Sequence, residues 1–134
     1  MLYVTPLRNA LKTLEEALIE SRNHPDNLLY RDATIQRFEY TYELAVKLLR
    51  RCLAQRAIHA ELIDQMGFKD LIREGNRRGL LQGDVSVWDS FRNARNMTSH
   101  TYQAPVATKV FDEIPSFIEE ANFLLQQLEQ LNDD

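Results

Sequence analysis

Arg95 and His100 are the two side chains of this 134-residue sequence whose types and spacing suit chemistry at a phosphodiester. A histidine can take up and return a proton near neutral pH. An arginine can hold a phosphate through its guanidinium fork and stabilise charge that builds on the phosphate oxygens. In RNA the neighbouring 2′-hydroxyl can serve as the nucleophile, so such a pair works without a metal ion. Both residues lie in the stretch Arg95-Asn96-Met97-Thr98-Ser99-His100-Thr101-Tyr102. Asn96 and His100 are four apart and therefore neighbours on a helix surface. Arg95 and His100 would diverge by about 140° on an unbroken helix. Their cooperation requires the helix to loosen near Ser99, or a second subunit to bring the groups together. Alone, an Arg-x4-His pair is a weak signal. His100 near a helix C-terminus can equally cap carbonyls, and Tyr102 can equally be an exposed loop tyrosine.

Other site chemistries find little support. His24, His59 and His100 lack metal-ligand spacing, and Cys52, the single cysteine, cannot complete a zinc site. There is no glycine-rich phosphate loop, and no Ser–His–acid triad can be argued from spacing. No metal and no cofactor is expected. Cys52 sits on an apolar helical stripe and reads as core rather than as a reactive thiol.

The net charge of −4 argues against a general nucleic-acid binder. The charge is unevenly placed: residues 104–134 hold one base, Lys109, against seven acids, which leaves residues 1–103 at +2. Between Lys69 and His100 six bases face four acids, a local basic bias that an ordinary solvated face could also produce. The sequence has no run of about 18 apolar residues that could cross a membrane. The first fourteen residues mix Arg8 and Lys12 into an amphipathic pattern unlike a secretion signal. Together with the lone cysteine, these features lead us to expect a cytoplasmic protein.

The elements that must position residues 95–102 are helical. Only four glycines and four prolines punctuate the chain, and helical spacing dominates. A first helix is expected from Thr5 as N-cap, with Pro6 at its first position and Leu7, Leu11, Leu14 and Leu18 along one face. Asn23-His24-Pro25-Asp26 breaks it and offers Asp26 as the next cap. A second helix, about 45 Å long, should run from Asn27 to Arg56 with Ile35, Phe38, Tyr42, Ala45, Leu49 and Cys52 as its stripe. Gly67 opens a short helix carrying Phe68, Leu71 and Ile72 that stops near Gly79. Gly83-Asp84 turns the chain and caps a helix from Val85, whose core arc holds Val87, Trp88, Phe91, Ala94 and Met97, with Arg95 at its rim. Ala104-Pro105 starts the last helix, which Pro115 should kink or split. The Phe111–Phe117–Phe123 series reads as core rather than as a base-stacking platform. Short connections favour antiparallel neighbours, so the fold class is all-α, an up-down bundle of four to five helices in one domain spanning 1–134. The wide apolar stripes suggest a homodimer.

The phrase Arg95-Asn96-x-x-x-His100-x-Tyr102 resembles the R-x4-H-x-Y signature of HEPN domains, most closely the HepT-type toxins, also called nucleotidyltransferase substrate-binding proteins. The second-helix stretch from Arg31 to Ala45 is similar to that subfamily, as is the phrase from Arg73-Glu74-Gly75 to Gly79-Leu80-Leu81. The resemblance therefore covers nearly the whole chain. It implies a dimeric HEPN-like bundle with a cleft between subunits and metal-independent endoribonuclease activity on tRNA or mRNA. Arg95, Asn96 and His100 would be the matching active-site residues. It implies a partner too, an MntA-type nucleotidyltransferase acting as antitoxin in a type VII-like toxin–antitoxin pair, which transfers AMP from ATP to Tyr102. Added phosphates beside Arg95 and His100 would fill the anion site and repel RNA. Arg77, Arg78 and Arg92 are candidate RNA phosphate contacts, each otherwise a solvent-facing charge. Asp32 and Glu39 could orient Arg95 across the dimer, or form surface ion pairs. Two other readings stay open: a non-catalytic substrate-binding subunit of a nucleotidyltransferase, and a plain scaffolding bundle.

Overall fold

The computed structural model describes residues 1–133, and the described residues are helical apart from their connections. The elements run α1 (Thr5–Asn23), α2 (Leu28–Arg56), α3 (Ala60–Asp64), α4 (Phe68–Arg77), α5 (Val85–Asn96), a 3₁₀ turn at Thr98–His100 and α6 (Ala104–Asp133). The all-α bundle expected from the spacing is the observed architecture.

Local chemistry sets most boundaries. Asp84 accepts a hydrogen bond from the Val87 amide at 3.1 Å and so caps α5. Gly67 opens α4. Gly79, with φ +75°, closes the turn after α4, where the Leu80 amide reaches back to the Gly75 carbonyl at 2.9 Å. Four expectations need correction. Thr5 is already helical and Val4 takes the cap position, so Pro6 stands one residue further in. The cap of α2 is Asn27, not Asp26, because the Asn27 side chain reaches the Leu29 amide at 3.0 Å. The short α3 has no counterpart among the expected helices; it fills the connection that leads to Gly67. Pro115 does not split α6, which continues through it as one helix.

The long helices α2 and α6 run in the same direction. Arg31 and Phe111 line one cleft near their starts, Phe38 meets Phe117 edge-on at 5.1 Å between centroids, and Cys52 and Leu128 share a pocket near their ends. Antiparallel α1 is tied to α6 by Arg8–Glu129 at 3.0 Å and Asn122–Glu15 at 2.7 Å. Antiparallel α5 packs on the other side, giving the up-down order. Phe117 is the hub: it meets Phe38, Phe91 and Trp88 edge-on, and all four rings are buried. Cys52 is buried as expected, and burial pushes its thiol above the ordinary range.

Gly75 lets α4 press against α2. A Cβ there would stand 2.9 Å from Leu81 Cδ1 and 3.1 Å from Leu49 Cδ1. The following turn is held twice, by Asn76 donating to the Gly83 carbonyl at 2.8 Å and by the buried Glu120 accepting from the Gly83 amide. Together they fix the start of α5, which carries Arg95.

Candidate functional site

Helix α5 buries Trp88, Phe91 and Ala94 against α6 and α2, and half-buries Met97. Val87 departs from the expected core arc at 38% exposed. It lies in the first turn, where a helical side chain leans back toward the N-terminus, and it leans over Gly83 instead of into the core. Arg95 keeps the expected rim position, its side chain 29% exposed.

The arginine has partners on α2. Its Nε donates to Glu43 Oε1 at 3.0 Å, Nη2 donates to the same oxygen, and Glu39 Oε1 stands 3.6 Å from Nη2. Donating to Glu43 raises the pKa of the guanidinium beyond its already high value. One edge of the fork is thus tethered, while Nη1 has no partner among the described residues. Within the chain Glu39 reaches Arg95 at 3.6 Å, while Asp32 accepts from Arg31 at 3.0 Å and 3.1 Å, a surface ion pair as the sequence also allowed. Sequence reasoning missed Glu43. The signal was there: Glu39 and Glu43 are four apart and share a face of α2. Below them Tyr42 is buried, and burial lifts its phenol to about 12 despite the nearby positive charges of Arg92 and Arg95.

The helix loosens earlier than expected. It ends at Asn96, and a 3₁₀ turn carries the chain through His100. Thr98 Oγ1 donates to the Arg95 carbonyl at 2.9 Å and Thr101 Oγ1 to the Thr98 carbonyl at 3.0 Å. The His100 amide bonds Met97 at 2.9 Å, and the His100 carbonyl accepts from the Gln103 amide at 3.1 Å. Every link of the turn is therefore pinned by local bonds while the Asn96, Ser99 and His100 side chains face solvent. The His100 ring lies 6.4 Å from the Tyr102 ring, tilted by 66°. Tyr102 is 79% exposed, and among the described residues its hydroxyl accepts from Gln103 Nε2 alone, at 3.3 Å.

The three further arginines are differently engaged. Arg77 and Arg78 both donate to Glu74, whose carboxyl they hold below the ordinary carboxylate range. Arg92 lies over the Phe68 ring at 5.0 Å. The basic bias of this region is thus partly neutralised, and Arg92 is the member closest in sequence to Arg95 without a carboxylate partner among the described residues.

Residues 2–130 match the family described as nucleotidyltransferase substrate binding protein like. The chain belongs to this family. A Haemophilus influenzae relative named probable ribonuclease HepT is 48% identical over 98 residues, covering 73% of this chain. The match spans 66% of that relative's length. A solved Haemophilus influenzae structure, described as the fold of a substrate-binding domain of a nucleotidyltransferase, superposes with a TM-score of 0.89 at 38% identity. It covers 95% of this chain and 99% of its own. A solved Thermus thermophilus structure superposes with a TM-score of 0.74 at 29% identity, over 91% and 98% of the two chains. The HepT-type resemblance read from the sequence agrees with the family match over residues 2–130 and with a HepT-named relative over 73% of the chain. Among the described residues no helix is long and apolar enough to cross a membrane.

Proposed function

We propose that this protein is a metal-independent endoribonuclease toxin, silenced when a partner nucleotidyltransferase transfers AMP to Tyr102. The observation that carries the reading is the pinned turn after α5, which holds His100 and Tyr102 side by side in solvent directly after the tethered Arg95. In the proposed reaction the RNA 2′-oxygen attacks phosphorus, the bond to the 5′-oxygen breaks, and a cyclic phosphate and a 5′-hydroxyl result. His100 transfers the proton, Arg95 stabilises the negative charge on the phosphate oxygens, and Asn96 offers a neutral hydrogen-bond donor. A homodimer would bring a second copy of these groups to the same cleft.

Silencing follows from the exposure of Tyr102. Its phenol oxygen attacks the α-phosphorus of ATP, pyrophosphate leaves, and the phenol proton is lost to solvent or base. The attached phosphate is anionic and a short side-chain length from His100, where it blocks an incoming RNA phosphate. The partner that performs this step is an MntA-type nucleotidyltransferase serving as antitoxin.

Expression of the wild-type chain without a partner should arrest growth, and His100→Ala should relieve the arrest with folding intact. Co-expression with the partner should add the mass of AMP to the chain, and Tyr102→Phe should abolish the addition. Harmless wild-type expression with no cleavage of any cellular RNA overturns the reading. The neutralisation of Arg95 by Glu43 and Glu39 favours a second one, a non-catalytic substrate-binding subunit. A complex with the nucleotidyltransferase that survives loss of both Arg95 and His100, without RNA cleavage by the wild type, decides for it.

A further inference from the structure

The end of the bundle that carries the 98–102 turn holds a second concave feature. The last turn of α1, the first turn of α2 and the second turn of α6 enclose a cleft of about 340 Å³. That volume is at the small end of the range for sites that bind small molecules. Its lining is chemically mixed: Arg22, Arg31, Ser21, Thr108, Asp112 and the half-buried ring of Phe111.

Each group is available in a particular way. Arg31 is anchored by Asp32, which takes its Nε and Nη2 at 3.1 Å and 3.0 Å and leaves Nη1 uncommitted. Arg22 makes no ion pair with any described residue. Ser21 is 6% exposed, and its hydroxyl makes no hydrogen bond to a described residue. Asp112 is the one acid among the lining residues; with Arg31 already paired to Asp32, Arg22 is the cation of the cleft without a carboxylate partner among the described residues. From α6 the lining takes the Phe111 ring, the Asp112 carboxylate and the Thr108 hydroxyl, which donates to the Ala104 carbonyl at 3.1 Å and keeps its acceptor capacity.

This set of groups matches one class of ligand. Guanidiniums take a phosphate, an aromatic ring offers a face to a planar base, and a lone carboxylate accepts from a sugar hydroxyl or an exocyclic amine. We propose that the α1–α2–α6 cleft binds a nucleoside monophosphate unit, with Arg22 and Arg31 on its phosphate and Phe111 against its base. The unit is either a free nucleotide or one residue of a bound RNA strand. Thr108 is one helical turn beyond the start of α6, just after Tyr102, so a strand engaged at His100 can run toward the cleft. The assignment stands on the cleft alone and holds whether or not residues 95–100 cleave RNA.

Calorimetric titration of the whole chain with AMP tests it. We expect saturable binding of one AMP per chain, weaker by about tenfold or more when Arg22 and Arg31 are both changed to alanine, the loss of one charge-assisted contact or more. Adenosine, which lacks the phosphate, should fall by a similar factor. Phe111→Leu keeps an apolar side chain against the core and should weaken AMP while leaving inorganic phosphate unchanged. A variant lacking both Arg95 and His100 should bind AMP as the wild type does; if binding is lost there instead, the nucleotide sits in the other site and the proposal fails. A 2′-O-methyl oligoribonucleotide separates the two sources. Weakening by the Arg22/Arg31 double change, with competition by AMP, assigns the cleft to an RNA residue; no effect on RNA with loss of AMP binding assigns it to a free nucleotide. Wild type that takes up neither AMP nor the oligonucleotide in a way the double change alters overturns the proposal. Arg22 is exposed and the Arg31 side chain is 21% exposed, so circular dichroism melting is used to establish that the variants fold.

Discussion

Replacing Glu43 by glutamine isolates what the tether on Arg95 does. The change keeps the shape and one acceptor oxygen and removes one negative charge. Glu43 is more than half exposed and Arg95 29% exposed, so the lost ion pair contributes only about 0.2–1 kcal/mol to stability. Melting should move by no more than about 5 °C. The effect on RNA is larger and of opposite sign. A phosphate on the open Nη1 edge of Arg95 would lie roughly 7 Å from the Glu43 carboxylate. At that distance the repulsion is about 0.6–1.2 kcal/mol for an effective dielectric between 80 and 40, or roughly three- to eightfold in affinity. Glu43→Gln should therefore tighten binding of a non-cleavable 2′-O-methyl RNA by that factor at low salt. The gain should shrink by 0.5 M salt, where screening reaches across only a few ångströms. Cleavage should move the other way, since the guanidinium loses the partner that fixes its orientation. Fluorescence anisotropy at two salt concentrations, paired with single-turnover cleavage, reads both. Unchanged or weaker RNA binding at low salt, or a gain that salt does not diminish, refutes the argument that Arg95 meets a phosphate beside its carboxylates. Glu39→Gln, with the longer contact of 3.6 Å, should show the same signs at smaller size.

Other expectations concern the frame that holds the site. Asp84→Ala removes the cap of α5 and should cost about 1 kcal/mol, read by urea denaturation. Gly75→Val drives methyl groups into Leu81 and Leu49 and should destabilise by about 1–3 kcal/mol; a variant as stable as wild type would show that α4 can retreat from α2. Burial raises the carboxyl of Glu120 above the ordinary range although the Gly83 and Gln82 amides pull it down. The acid form is thus favoured on folding, so ionisation costs stability as pH rises from the unfolded-state value through the folded one. The stability of Glu120→Gln relative to wild type should increase across that rise, measured by denaturation at pH 4 and pH 7, and a flat difference would contradict it.

The long helices were legible because their apolar spacing and their breakers agree. Gly67, Gly83-Asp84 and Ala104-Pro105 each stand at a real boundary. The caps at Thr5 and Asp26 failed by one residue: Asp26 and Asn27 are both cap-formers and only backbone geometry chooses between them, while α1 begins a residue early on Val4, which makes no side-chain cap bond. The helix α3 was invisible because five residues give no periodicity. At the site, the motif residues could be named from type and spacing, and the rim position of Arg95 followed from the wheel of α5. Its partners could not, because Glu39 and Glu43 come from a helix fifty residues away and their meeting depends on how α2 and α5 pack. The same holds for Arg77 and Arg78, which look like free bases in the sequence and share one carboxylate in space.

Asn132 bonds both the amide and the carbonyl of Leu2, at 3.1 Å and 2.7 Å, so the segment leading into α1 and the last turn of α6 are fastened to each other. Helix α6 then carries the chain about 40 Å from that clasp to the 98–102 turn. Labels, surfaces or fused domains attached at the clasp would stand a whole bundle length from His100, which makes that end the place to immobilise the protein while the other is probed.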